Sequence, residues 1–133
     1  GDGSQPLHTT MQYNGWIGPN PNGYTTEHKI HNAFEGDFVH NNLAQLEVAP
    51  LVSTKPVVIE DMFTEAMAYI RRTNSQVEKT YQLYKVGAFD GAGTPAGKDF
   101  VDERLAAGAT ELRNIIYTAW VRSGDPVKPD TYN

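Results

Sequence analysis

The chain has 133 residues, no cysteine, and 11 Lys and Arg against 16 Asp and Glu, for a formal charge of −5. That length suits one domain, which can bury roughly two-thirds of its unfolded surface; a hydrophobic content of 39% with 20% charged residues excludes a wholly disordered chain. The composition also excludes a disulfide scaffold, thiolate zinc and a thiol nucleophile, argues against a broad polyanion-binding face, and leaves no apolar run long enough to span a membrane.

The segment from Gly1 to Gly23 reads as irregular. Asn14 with Gly15 and Asn22 with Gly23 are turn dipeptides, and Pro19 and Pro21 block a helix between them. A first helix is expected from about Thr26, capped by its hydroxyl, with Ile30, Phe34, Phe38, Val39 and Leu43 as its apolar stripe. Ala49 to Thr54 reads as a connector. A second helix is expected from Ser53 or Thr54, with Pro56 in its first turn and Val58, Met62, Phe63, Ala66, Met67 and Ile70 on its core side; Arg71 and Arg72 complement its dipole. Ser75 and Glu78 have capping-box spacing for a third helix, with Val77, Tyr81 and Tyr84 inward and Gly87 as its C-terminal cap. A Gly-rich turn follows from Phe89 to Gly97. The final helix is expected over Lys98 to Arg122, closed by Gly124 and Pro126. Its expected core stripe is Val101, Leu105, Ala109, Leu112, Ile116 and Ala119, flanked by Ile115 and Trp120. Nothing alternates with period two, so the fold is expected to be all-α. Residues 1–25 form a loop, 26–126 carry about four helices and 127–133 are a tail.

His31 and Glu35 stand one helical turn apart on one face and can share an ion. Imidazole nitrogen and carboxylate oxygen are zinc donors, and His8, stiffened by Pro6, would add a third ligand from the loop; the alternative is a loop histidine bonded to a backbone carbonyl. Asp2 lies close to His8 in sequence and adds a carboxylate, or else serves a turn. His28 and His40 read as surface residues. Tyr13, Trp16 and Tyr24 lie on the intervening loop, where they would either stack a substrate or pin the loop to the helices.

The run Gly1-Asp2-Gly3-Ser4-Gln5-Pro6-Leu7-His8, followed by His31-Asn32-Ala33-Phe34-Glu35, resembles the zinc-dependent phospholipase C and single-strand-specific nuclease superfamily. The run Arg104-Leu105-Ala106-Ala107-Gly108 resembles the closing helix of that family. The resemblance implies an all-α phospholipase C/nuclease-like fold with a cluster of three zinc ions that hydrolyses phosphate esters. Asp2 then matches the aspartate bridging two ions, and so a catalytic residue. His8, His31 and Glu35 match the protein ligands of the third ion. The family carries further zinc ligands upstream of this aspartate, so the chain is expected to correspond to the C-terminal part of such an enzyme. Its expected partners are the missing N-terminal part or a second copy. Glu35 favours the phospholipase pattern, while the Arg-Leu-Ala-Ala-Gly run favours the nuclease branch, which is weighted higher. The substrate is thus expected to be single-stranded nucleic acid or, alternatively, phospholipid. Tyr13, Trp16 and Tyr24 are the expected substrate contacts, and a secreted or periplasmic location follows from the resemblance alone. The remaining alternative is a non-catalytic helical zinc-binding or structural fragment.

Overall fold

A computed structural model describes residues 1–125. It is helical and, among these residues, holds no β-strand. Pro126 and the expected tail, 127–133, lie outside the described residues. Helix α1 spans residues 30–42 and changes pitch within itself: α over Ile30–Asn32, π over Ala33–Asp37, and α again over Phe38–Asn42. The short α2, Gln45–Val48, runs into a 3-10 turn at Ala49–Leu51. Helices α3, Met62–Asn74, α4, Val77–Lys85, and α5, Pro95–Arg122, complete the fold. Among the described residues, no helix is long and apolar enough to cross a membrane.

Two apolar clusters carry the core. Phe34 and Phe38 of α1 pack with Phe100 and Val101 of α5 around Ala88 and Phe89 of the intervening turn. Leu7, Tyr24 and Ile30 pack with Val77 and Tyr81 of α4. The first cluster demands close backbone approach, because a Cβ at Gly97 would lie 2.2 Å from the Ala88 carbonyl oxygen. Gly87 ends α4 as expected, with φ +73°. Its amide donates to Tyr84 and that of Ala88 to Leu83, which together satisfy the last carbonyls of the helix.

Several expected boundaries are corrected. Helix α1 starts at Ile30, not Thr26: the Thr25 hydroxyl accepts the Glu27 amide in a local turn, and the Lys29 amide goes to the Glu27 carbonyl. Helix α3 starts at Met62 under Asp61, whose carboxylate accepts the Thr64 amide at 2.6 Å. The residues before it form an extended strap along α5. Its amides at Ser53, Val57 and Ile59 donate to the side chains of Thr110, Asn114 and Thr118. Those three acceptors recur every four residues on one face of α5, so they supply a row of partners that a helix over 53–61 would not use. The Ser75 capping box does not form. Ser75 has helical torsions and its hydroxyl donates back to the Arg72 carbonyl, while Glu78 takes bonds from the loop. Helix α5 begins at Pro95, three residues before Lys98, because Thr94 caps it by accepting the Gly97 amide. The N-terminal loop contains 3-10 turns at Asp2–Ser4 and Pro6–Thr9.

The expected core stripes on the second and final helices are also corrected. Val101 is buried, but Leu105, Ala109, Leu112, Ile115, Ile116, Ala119 and Trp120 are exposed. On α3, Met62, Phe63, Ala66 and Ile70 are exposed as well, and the one buried residue is Thr73. The strap occupies the Thr110, Asn114 and Thr118 face of α5, and the apolar stripe beyond Val101 is left exposed.

Replacing Gly97 with Ala is expected to destabilise the fold by about 1–3 kcal/mol, because the added methyl meets the Ala88 backbone, which has little room to yield. Thermal melting of Gly97→Ala checks this. An unchanged or higher melting point would show that helix α5 is not held that close to the turn.

Candidate metal centre

The site is built from two elements. The 3-10 turn Pro6–Thr9 presents His8, and α1 presents His31 and Glu35. Glu35 lies in the π-turn, whose wider ring is spanned by an Asn32 side-chain bond to Asp37 Oδ2 at 2.9 Å, five residues on. Gly36 leaves room for that amide, since a Cβ there would lie 2.7 Å from Asn32 Oδ1. Such π-turns inside α-helices are frequent at functional sites.

The three side chains converge. His8 Nε2 lies 3.2 Å from His31 Nε2, and Glu35 Oε2 lies 3.1 Å from the first and 3.2 Å from the second. Among the described residues these are the histidines and carboxylates grouped closely enough to hold a metal ion. His31 Nδ1 lies 3.0 Å from the Tyr13 carbonyl oxygen. A carbonyl can only accept, so Nδ1 carries a proton and Nε2 offers its lone pair to the cluster. A lone pair 3.2 Å from a carboxylate oxygen is repulsive unless positive charge lies between them. A proton donated by His8 Nε2, a second proton on the His31 ring, or a metal ion relieves that repulsion.

The loop holds this arrangement through a chain of bonds. The Asn14 side-chain oxygen accepts the His31 amide at 3.2 Å, capping α1 from a distance. Tyr81, fully buried, donates its hydroxyl to the Gln12 carbonyl at 2.6 Å and accepts the Gly15 amide at 2.9 Å. The Trp16 and Tyr24 rings pack on Tyr81, with centroids 5.2 and 5.6 Å away. Tyr24 donates to Glu78 at 2.8 Å, and Trp16 Nε1 to the Pro19 carbonyl at 2.9 Å. Burial, and then the Glu78 carboxylate, hold the Tyr24 phenol above its ordinary pKa. Burial does the same for Tyr81, against a smaller lowering from the Gly15 amide. Both hydroxyls therefore stay protonated as donors.

Of the three aromatic residues expected at the substrate, Trp16 and Tyr24 thus pin the loop to α4. Tyr13 is presented outward, 55% exposed and edge-on to His31 with centroids 6.4 Å apart. Asp2 is not in the cluster. Its carboxylate is 99% exposed and lies 3.6 Å from His8 Nδ1, on the far side of that ring from the convergent nitrogen. His28 and His40 are exposed, as read. Sequence reasoning missed Gln5, whose amide donates to Glu35 Oε2 at 3.0 Å, and Tyr81, singled out only as an apolar face residue. Beside the cluster lies a recess of about 210 Å³, walled by Phe34, Val39, Val101 and Leu105, with Arg104 at its edge.

Tyr81→Phe is expected to lower stability by about 1–3 kcal/mol, because the Gly15 amide loses its buried acceptor and the Gln12 carbonyl its donor. Hydrogen exchange should show the Gly15 amide losing protection while the α5 amides keep theirs. Unchanged exchange at Gly15 would mean that the loop is held elsewhere. Comparison of the chain with protein-family models, curated proteins and solved structures gives no match.

Proposed function

We propose that this chain carries a zinc site of a phosphodiester hydrolase, nuclease-like, with His8, His31 and Glu35 as the protein ligands. The observation that carries the reading is the spacing of the ligand atoms, 3.1 to 3.2 Å apart. Tetrahedral zinc with bonds near 2.0–2.1 Å separates its ligands by about 3.3 Å, so these atoms already stand at near-coordinating distance. Three protein ligands leave a fourth position open, as catalytic zinc requires. A bound zinc ion supplies activated water and charge stabilisation at a phosphoryl oxygen.

The remaining groups fit a phosphate ester. Arg104 places a cation at the recess beside the cluster, and the exposed Tyr13 ring offers a stacking face next to His31. Tyr13 supports the single-stranded nucleic acid reading. The apolar walls of the recess support the second reading, a phospholipase C acting on lipid head groups. Asp2, exposed at the rim, is free to engage further metal and is the proposed catalytic carboxylate.

The apolar face of α3 and α5 supports a partner for this chain. Met62, Ala66 and Ile70 of α3 and Leu112 and Ile115 of α5 line one groove, and Gly1 lines both that groove and the recess by the cluster. Exposed apolar surface of this extent marks an interaction site. The proposed occupant is a further part of the same enzyme that completes the metal cluster, with a second copy taking its place when the chain stands alone.

Two measurements test these readings. Elemental analysis of protein never exposed to chelator or metal-affinity resin should find near-stoichiometric zinc, lost in His31→Ala. Absence of zinc from both would remove the metal centre, and with it the hydrolase reading. With zinc in place, cleavage of single-stranded DNA against phosphatidylcholine by the completed enzyme separates nuclease from phospholipase, and cleavage of neither sinks both. For the isolated chain, sedimentation is expected to show concentration-dependent self-association that the double variant Leu112→Glu with Trp120→Glu abolishes. A clean wild-type monomer at high concentration would count against the interface.

A further inference from the structure

Gln5 joins the two halves of the site. It precedes the turn that ends in His8, and its Oε1 accepts the Leu7 amide at 2.8 Å, capping that turn. Its Nε2 donates to Glu35 Oε2 at 3.0 Å, thirty residues away. The side chain is buried, with the residue 7% exposed. One orientation of the amide satisfies both ends. The Leu7 amide needs an acceptor and the carboxylate needs a donor, so a flipped amide would oppose like groups at both.

We propose that Gln5 is a positioning residue for the metal centre, one that sets zinc affinity by fixing the Glu35 carboxylate. The inference rests on the zinc reading above. Glu35 is half-exposed, with its side chain 47% accessible, and without a partner it would turn freely toward solvent. The Gln5 donor instead holds Oε2 beside both imidazole nitrogens. Pro6 fixes the backbone torsion after Gln5, and Leu7 is fully buried, so the donor is anchored to the core rather than to a mobile loop. One amide thereby makes the His8 turn and the Glu35 carboxylate a single unit. Hydrogen bonds that orient metal ligands in this way typically change metal affinity by about 10- to 100-fold.

The test is a double-mutant cycle on zinc affinity, measured with zinc alone by competition against a chromophoric chelator. Gln5→Ala is expected to bind zinc about 10- to 100-fold more weakly than wild type. Gln5→Asn is expected to match it. Asn is a good capping residue and keeps the turn, but it is one methylene too short to reach Glu35. In a Glu35→Ala background, removing Gln5 is expected to change affinity by less than about threefold, because the group it acts through is gone. Wild-type affinity in both Gln5 variants would overturn the inference. So would an equal loss with and without Glu35, which would mean that Gln5 acts only through the fold. A wild-type chain that binds no zinc overturns the zinc reading and this inference together. Zinc bound by wild type but indifferent to Gln5 overturns this inference alone.

Discussion

A segment without repeating secondary structure has to find a separate partner for every backbone polar group it buries. Between Thr10 and Lys29 this chain meets that demand with a few backbone pairs, such as Trp16 to Thr25, and with many side chains, of which the Tyr81 hydroxyl is the centre. It takes the Gly15 amide and gives its proton to the Gln12 carbonyl, so both bonding capacities of one buried oxygen are used on one turn. The two residues enclosed by those bonds are Tyr13 and Asn14. The Tyr13 carbonyl fixes the His31 tautomer and the Asn14 side chain caps the His31 amide. The orientation of His31 on α1 is therefore set by a phenol on α4, through the loop between them. Leaving either of the buried groups unpaired costs about 1–3 kcal/mol, a large share of a small domain's net stability.

What could be read in advance divides along the same line between local and tertiary causes. His31 and Glu35 were legible because four-residue spacing on a helix is a local fact, and the all-α class followed from periodicity alone. The third member of the cluster, His8, could be nominated but not placed by its own segment. Its approach depends on Pro6, the Gln5 cap and the burial of Leu7, all of which act through the core. The π-turn around Glu35 was hidden because Asn32, Gly36 and Asp37 look like ordinary polar surface until their five-residue spacing is matched to a wider helical ring. Ser75 and Glu78 had the spacing of a capping box, yet Glu78 found Tyr24 and Asn22 as partners, and tertiary bonds displaced the local motif. The strap before α3 misled for a related reason. Its Pro and β-branched residues sit on backbone that looked free to coil, while its partners, Thr110, Asn114 and Thr118, lie more than fifty residues on.

Helix α5 shows how a correct pattern can carry a wrong inference. Its apolar stripe exists, with the expected period, and Val101 at its start is buried against Phe34 and Phe38. From Leu105 onward the same stripe faces outward, and Trp120 is 71% exposed. Periodicity reports that a helix face is apolar; it does not report what covers that face. The polar side of α5 is the one engaged, through the strap. Leu112 and Ile115 of that stripe, with Met62, Ala66 and Ile70 of α3, line a groove that runs up to Gly1, next to Asp2 and the convergent cluster. The groove and the convergent cluster thus meet at one edge of the fold, where Gly1 lines both the groove and the recess beside the cluster.

That adjacency bears on why the cluster is shaped as it is. Two histidine nitrogens and a carboxylate oxygen within 3.2 Å of one another are costly to assemble unless a proton or a cation lies between them. The fold nonetheless spends its bonds on holding them: a carbonyl behind His31, a buried amide behind Glu35, a capped turn under His8. Their common effect is to keep two imidazole nitrogens and one carboxylate oxygen converged on one point. That convergence, held by bonds among three separate segments, is the feature on which the proposed metal site rests.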